Sequence, residues 1–131
     1  MKAAAAKLES PIRVLLVDDH RLFAEALEAI LAGESTIEVV GRARNGAEAL
    51  ELALELEPDV VLMDVSMPVM DGVEATRRIR EARPGACVLM LTGSNTAVDV
   101  DRARGAGAAG YITKDRIASQ LVEAIVETAG R

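Results

Sequence analysis

The sequence predicts an α/β fold in which helices cover both faces of a five-stranded parallel sheet. Five short apolar runs alternate with five segments whose apolar residues recur at helical spacing, and the links between them are short. The run Val60–Asp64 is apolar at its first four positions, as expected of a strand covered on both faces. The 131 residues, half of them hydrophobic, suit one domain with a substantial core.

The five strands follow from these apolar runs. The second run mixes apolar with polar residues and is therefore expected at an edge of the sheet. In chain order, the predicted strands are Ile12–Val17, Ile37–Ala43, Val60–Asp64, Ala86–Leu91 and Ala108–Ile112.

The first two helices are indicated by apolar residues at helical spacing. The first ends at Gly33, and the second begins near Asn45-Gly46 and ends before Pro58. The residues predicted to face the core are Phe23, Leu27, Ile30 and Leu31 in the first helix, and Ala47, Leu50 and Leu54 in the second.

The last three helices differ in the strength of their apolar faces. The third follows Asp71-Gly72 and ends at Arg83-Pro84-Gly85. The fourth, Asn95–Ala106, has little bulk on its inner face, which predicts low local stability. The predicted inward residues are Val73, Thr76 and Ile79 in the third, Ala97, Val100 and Ala103 or Arg104 in the fourth, and Ile117, Leu121, Ala124 and Ile125 in the fifth.

Composition and charge exclude several classes of function. A net charge of -6 argues against nucleic-acid binding through phosphates by this domain. Cys87 is the only cysteine, so no internal disulfide can form, and its apolar neighbours predict a buried, inert thiol. The single histidine, His20, cannot supply an imidazole metal site.

The chain shows no signal for a membrane. No apolar run approaches the roughly 18 residues of a membrane span. The N-terminal apolar stretch is too short for a signal peptide, so a cytoplasmic location is expected. Residues 1–10 are predicted to be a flexible segment and residues 11–131 the folded domain.

Polar groups of a definite kind stand at the ends of four predicted strands. Asp18 and Asp19 follow the first strand, Asp64 ends the third, Thr92 follows the fourth and Lys114 follows the fifth. A parallel sheet brings these ends to one edge. Each has another interpretation by itself, since the aspartates and the threonine could cap helices and the lysine could be solvated. Four matching ends favour a shared site.

The charges of these groups indicate their chemistry. Two carboxylates about 5 Å apart repel by roughly 3 kcal/mol at an effective dielectric near 20. A cation among them would relieve this repulsion, and hard oxygen ligands suit Mg²⁺. The hydroxyl and the ammonium suit phosphate oxygens. An aspartate can be the nucleophile that forms an aspartyl-phosphate, so the site looks built for phosphoryl transfer.

Four segments carry a resemblance to a known family: Val17-Asp18-Asp19, Met63–Gly72, Leu91-Thr92-Gly93 and Gly107–Lys114. Through them the chain resembles the receiver domain of two-component response regulators. That resemblance implies a flavodoxin-like doubly wound sheet of order 2-1-3-4-5 with five helices. It covers about Ile12 to Thr128 and resembles the subgroup that carries a C-terminal helix-turn-helix output domain. Asp115 stands where many receivers have Pro.

The resemblance implies a role for each site residue. Asp64 would be the phosphoacceptor, and Thr92 and Lys114 would bind the phosphoryl oxygens. Tyr111 matches an aromatic switch that turns inward when Thr92 moves, although an edge-strand tyrosine can also simply pack its ring and leave its hydroxyl in water. The implied Mg²⁺ ligands are Asp18 (through water), Asp19, Asp64 and the backbone carbonyl of Ser66.

The implied function is a signalling switch rather than a turnover enzyme. A sensor histidine kinase or a small phosphodonor would phosphorylate it with Mg²⁺. The fourth helix, fifth strand and fifth helix would then change and control an output domain or partner, with transcription as the expected output. DNA would be contacted only through an output domain outside this chain, and a homodimer is left open.

Two other functions are weighed against this one. A phosphatase of the haloacid dehalogenase kind also uses a strand-end aspartate, Mg²⁺, Thr and Lys, but it needs a second aspartate two residues after the nucleophile, where this chain has Ser66. A pseudo-receiver that only docks partners would be expected to have lost an acidic residue, Thr92 or Lys114, and none is lost.

Overall fold

The computed structural model describes residues 10–65, 71–93 and 97–130, without the side chains of 97–100. Within these residues the strands are β1 (Ile12–Val17), β2 (Ile37–Ala43), β3 (Val60–Asp64), β4 (Val88–Thr92) and β5 (Gly110–Thr113). They form one parallel sheet of order β2-β1-β3-β4-β5. The predicted fold class and strand order are confirmed, and β2 lies at an edge.

Five helices alternate with these strands in the described ranges. They are α1 (Arg21–Ala32), α2 (Gly46–Leu56), α3 (Gly72–Ala82), α4 (Ala97–Ala106) and α5 (Ile117–Thr128). A short 3-10 turn, Lys114–Arg116, joins β5 to α5. No helix among the described residues is long and apolar enough to cross a membrane.

The two faces of the sheet are packed differently. α1 and α5 cover one face with large side chains, such as Leu27 and Leu121, which belong to the same buried cluster as Leu16 of β1. α2, α3 and α4 cover the other face, where small residues such as Ala53 of α2 and Ala103 of α4 meet the sheet. Among the described side chains, the helices of the first face therefore bury mainly Leu and Ile, whereas those of the second face bury mainly small residues.

The parallel register brings the carboxyl ends of the strands to one edge. Val17, the last residue of β1, pairs with Met63 of β3, and Thr92 of β4 pairs with Thr113 of β5. The residues that follow β1 and β5 therefore emerge beside Asp64, at the edge where open α/β sheets bind ligands.

Most of the predicted inward faces are confirmed. The buried residues among them are Leu27, Leu31, Val73, Thr76, Ile79, Ala103, Ile117, Leu121 and Ile125. Phe23, Ile30 and Ala124 are half-buried, and Arg104 is exposed, so Ala103 is the inward residue of that pair. The side chains of Ala97 and Val100 lie outside the described part of the chain.

The predicted inner face of α2 is wrong. Ala47 is exposed and Leu54 is 45% exposed, whereas Ala49 and Ala53 are fully buried. Leu50 is half-buried at the border of the contact. Helix backbones approach a sheet and a neighbouring helix closely only through small side chains. The alanines therefore face the core here, and the leucines surround them.

β4 and β5 begin two residues later than predicted. Ala86 donates its N–H to the Arg83 carbonyl at 2.9 Å, so the preceding turn still holds it. Ala108 donates to the Ala103 carbonyl at 3.1 Å, which closes α4 with a Schellman motif around Gly107 at φ 95°. Local hydrogen bonds thus keep these residues in the preceding turns, and both strands begin two residues later.

Two further expectations concern the chain outside these elements. Cys87 is half-buried rather than buried, because it lies in the turn before β4. Residues 1–9 lie outside the described residues, so the flexible segment 1–10 stays a prediction.

Candidate functional site

The predicted carboxylates converge at the carboxyl edge of the sheet. Asp64 is the last residue of β3 and is 2% exposed, and Asp18 follows β1 and is 4% exposed. Asp19 is exposed beside them. One oxygen from each of the three lies within 4.8 Å of the others. Ser66, whose carbonyl was predicted as a metal ligand, lies outside the described residues.

Lys114 brings the positive charge that the sequence predicted. It begins the turn after β5, and its Nζ lies 3.2 Å from Oδ1 of Asp64. Its side chain is 34% exposed, whereas that of Asp64 is 3% exposed. The ammonium therefore reaches from solvent into the acidic pocket and partly offsets the negative charge there.

The helix-capping alternative does not hold for Asp64 or Asp18. α3 is capped by Asp71, whose Oδ1 accepts the N–H of Glu74 at 2.9 Å. The cap position of α1 is His20, and Asp18 accepts the N–H of that residue rather than one inside the helix. Neither carboxylate is therefore needed as a helix cap, which favours a shared site.

Asp18 has a buried carboxylate oxygen without a hydrogen bond, and its pKa is raised. Its Oδ1 accepts the His20 N–H at 2.7 Å, but its buried Oδ2 has no hydrogen-bond partner within the residues that the structure describes. Burial raises the pKa of Asp18 to about 6, helped by the charges of Asp64 and Asp19 and opposed by the His20 hydrogen bond and by Lys114. A hard divalent cation such as Mg²⁺ fits this unsatisfied oxygen and the three-carboxylate donor set.

Thr92 and Tyr111 lie on the neighbouring strands. Thr92 ends β4 and is 9% exposed, and Tyr111 on β5 pairs with Met90 and is 41% exposed. Side chains two residues apart on a strand share a face, so Thr92 lies on the same face as Met90. Met90 packs in the cluster that contains Ala103 of α4. The two residues for which the resemblance implies a switch role therefore both lie near α4.

Two residues at the site were not predicted as site residues. Lys114 Nζ lies over the ring of Phe23, 5.0 Å from its centroid. Gly72 lies so close beneath β3 that a Cβ there would be 2.3 Å from the carbonyl oxygen of Asp64. The Phe23 contact could have been found from its place on the first turn of α1, since helical side chains lean toward the N-terminus. Nothing in the sequence pattern shows the close approach at Gly72.

Comparisons with known proteins agree with this arrangement. A family model described as response regulator receiver domain matches residues 14–126. Response regulator protein VraR of Staphylococcus saprophyticus is 43% identical over 118 residues, which are 90% of this chain and 56% of that protein. Transcriptional regulatory protein LnrK of Bacillus subtilis is 42% identical over 115 residues, 88% of this chain and 52% of that protein. The chain therefore spans about half the length of these curated relatives.

Solved structures are similar over almost the whole chain. The signal receiver domain of NarL from Mycobacterium tuberculosis superposes with a TM-score of 0.88 at 35% identity, covering 93% of this chain and 98% of that one. A two-component response regulator of the LuxR family from Aurantimonas superposes with a TM-score of 0.87 at 37% identity, covering 93% and 88%.

Replacing Gly72→Ala should destabilise the fold by about 1–3 kcal/mol, because the new methyl group would meet the backbone of β3 at the carbonyl of Asp64. Alanine has a higher helix propensity than glycine, so a loss of stability can only come from this collision. Urea unfolding followed by circular dichroism measures it. Gly85→Ala is the matched control, because a Cβ added at Gly85 would meet no atom within 4 Å. Equal stability of the two alanine variants would contradict the close approach.

The raised pKa of Asp18 predicts a dependence of stability on pH. The native state holds this proton more tightly than the unfolded chain, whose value is 3.8, so this contribution is fully present below pH 3.8 and is lost as pH rises through about 6. In EDTA at neutral pH, Asp18→Asn should therefore be more stable than the wild type, by up to about 3 kcal/mol. The amide oxygen of asparagine can still accept the His20 N–H.

Urea unfolding of the wild type and Asp18→Asn at several pH values tests this expectation. Their stabilities should converge as the pH falls below 4. Asp101→Asn makes the same charge change at an exposed position of α4 and should not show the effect. A stability difference that does not vary with pH would mean that Asp18 does not titrate as described.

Proposed function

This chain belongs to the response regulator receiver domain family, and we propose that it is a phosphorylation-activated switch whose phosphoacceptor is Asp64. The observation that carries the proposal is the ion pair of 3.2 Å between buried Asp64 and Lys114, with Asp18 and Asp19 beside it. In this geometry a carboxylate oxygen lies between groups that suit a metal ion and a phosphoryl group.

The proposed step is a phosphoryl transfer to Asp64. A carboxylate oxygen attacks the phosphorus of a phosphohistidine on a sensor histidine kinase, or of a small donor such as acetyl phosphate. A P–O bond forms, giving an acyl phosphate, while the bond from phosphorus to the imidazole nitrogen or to the acetate oxygen breaks. The leaving group takes the bonding electron pair, as neutral imidazole after protonation or as acetate.

The side chains around Asp64 would stabilise the charge that develops. Asp18, Asp19, Asp64 and the carbonyl of Ser66 would hold Mg²⁺, which neutralises negative charge on the transferring group when bound. Lys114 would donate from its ammonium and Thr92 from its hydroxyl to the phosphoryl oxygens. Such contacts favour transfer because they are strongest when the phosphoryl group lies between donor and acceptor.

The output surface would be formed by α4, β5 and α5. The described side chains of α4 that are buried are Ala103 and Ala106, both small. Arg102 of α4 joins Asp71 at 3.7 Å through an ion pair in which both partners are about half exposed, and such pairs contribute little stability. A groove of about 330 Å³ between α4 and β5 is lined partly by Tyr111. The tyrosine therefore has room to move when Thr92 turns toward a phosphoryl group.

The consequence of phosphorylation would be control of transcription. The relatives include a transcriptional regulatory protein and a response regulator of the LuxR family, and this chain covers about half of the curated ones. An output domain or a partner would read the α4–β5–α5 surface, and a homodimer is one way to do so. A pseudo-receiver is disfavoured because the carboxylates and Lys114 are not only retained but assembled.

With Mg²⁺ and acetyl phosphate, the protein should gain one phosphoryl group that survives acid and is removed by base, as an acyl phosphate is. Asp64→Asn should gain none, because an amide oxygen is a poor nucleophile. Intact-mass spectra measure the product, and omission of Mg²⁺ should reduce it.

Asp101→Asn is the control for loss of one aspartate and should accept the group normally. An unmodified wild type, or an Asp64→Asn variant that still carries the base-labile group, would contradict the assignment of Asp64.

Beryllofluoride with Mg²⁺ mimics a phosphoryl group and should change amide hydrogen exchange mainly between about residues 94 and 116. This expectation follows from the weak packing of α4. Exchange followed by mass spectrometry measures the change, with Asp64→Asn as the control that cannot form the adduct. A change confined to α1 and α2 would contradict the proposed output surface.

A further inference from the structure

The ammonium of Lys114 lies between a carboxylate and an aromatic ring. Its Nζ is 3.2 Å from Oδ1 of Asp64 and 5.0 Å from the centroid of the Phe23 ring. A cation within about 6 Å of a ring centroid is attracted by the negative face of the ring. We propose that Phe23 is a positioning residue whose ring holds the ammonium of Lys114 beside Asp64, ready for the incoming phosphoryl group. The proposal rests on the proposed phosphoryl transfer to Asp64.

Lys114 needs a second contact because its side chain is flexible and partly exposed. A lysine side chain has many rotamers, and 34% of this one is open to solvent. Its ion pair with Asp64 would change once a carboxylate oxygen of Asp64 carries a phosphoryl group. The attraction of the ring does not depend on the state of Asp64, so it can hold the ammonium before and after transfer.

An aromatic ring also leaves the charge of the lysine available. A carboxylate at the position of Phe23 would form a competing ion pair and neutralise the ammonium. The ring carries no net charge, and its face cannot take the N–H donors away from phosphoryl oxygens as strongly as a carboxylate would. Phe23 therefore orients Lys114 and leaves its charge and its N–H donors available to phosphoryl oxygens.

The ring itself is held firmly. Phe23 lies in the first turn of α1, which begins just after Asp18 and Asp19, and it is half-buried against the cluster of large side chains shared by α1 and α5. Helical side chains lean toward the N-terminus, which directs the ring back to the edge of the sheet. The helix that follows the two carboxylates thus also carries the ring that positions the lysine.

The composition of the chain allows a test at a single ring. Phe23 is the only phenylalanine, so growth on phenylalanine analogues with increasing numbers of ring fluorines changes this ring alone. Fluorine withdraws electron density from the ring face with little change in shape, which separates a cation–ring attraction from simple packing. Phosphoryl uptake from acetyl phosphate with Mg²⁺ should slow stepwise, by about three- to tenfold in total.

Matched variants separate this role from a structural one. In a Lys114→Ala background, ring fluorination should leave the rate unchanged. Ile30→Ala removes half-buried packing from the same helix without touching the lysine, so it should lower the melting temperature but not the rate. Phe23→Tyr should take up the phosphoryl group at the wild-type rate. Phe23→Leu should take it up as slowly as the protein with the most fluorinated ring.

The position of Lys114 can be measured without any phosphoryl transfer. The chain has three lysines, Lys2, Lys7 and Lys114, so NMR spectra of lysine-labelled protein are simple to assign with Lys114→Ala. The ε-methylene protons of Lys114 should show an upfield ring shift that persists in Phe23→Tyr and disappears in Phe23→Leu.

The two proposals fail in different ways. Equal uptake rates across the fluorinated series, or Lys114 signals that are the same in Phe23→Leu and wild type, would overturn the positioning role of Phe23. Absence of any phosphoryl group on the unsubstituted protein would instead overturn the proposed function. The Lys114 signals would then decide by themselves whether the ring holds the ammonium.

Discussion

The repulsion among three carboxylates at one edge of the sheet is the constraint on which the rest of this structure depends. Oxygens of Asp18, Asp19 and Asp64 lie within 4.8 Å of one another, and two of these residues are buried. Burial of like charges opposes folding, so the remainder of the fold must hold them in place. Burial is the largest cause that raises the pKa of Asp18, and the charges of Asp64 and Asp19 add to it. Lys114 offsets part of the negative charge.

The backbone fixes where Asp64 lies, and its ion pair with Lys114 adds to this. Asp64 lies at the end of a fully buried strand between two others, and α3 begins directly beneath it at Gly72. The N–H of Gly72 donates to the Val65 carbonyl at 3.0 Å, which ties the start of the helix to the end of the strand. These contacts limit how far Asp64 can move from its neighbours, so a bound cation, or a proton on Asp18, would relieve the repulsion.

The sequence predicted the strands and the site because both depend on simple rules. Apolar runs specify parallel strands, and the polar residues after them meet at one edge whatever the details of packing. The sequence pattern did not predict features that depend on how closely side chains and backbone pack. The burial of Ala53 rather than Leu54 follows from how closely α2 packs, and the need for Gly72 follows from a backbone contact.

The different packing of the two faces suits a switch. The face covered by α1 and α5 buries large side chains, including Leu27 and Leu121, and can anchor the sheet. On the other face α4 contributes Ala103 and Ala106, whose methyl groups bury little apolar surface, and it ends at Gly107. Among the described side chains, those that α4 buries are therefore smaller than the leucines that α1 buries. In the proposed switch, a phosphoryl group on Asp64 would shift α4, while the layer of α1 and α5 would keep the acidic pocket intact.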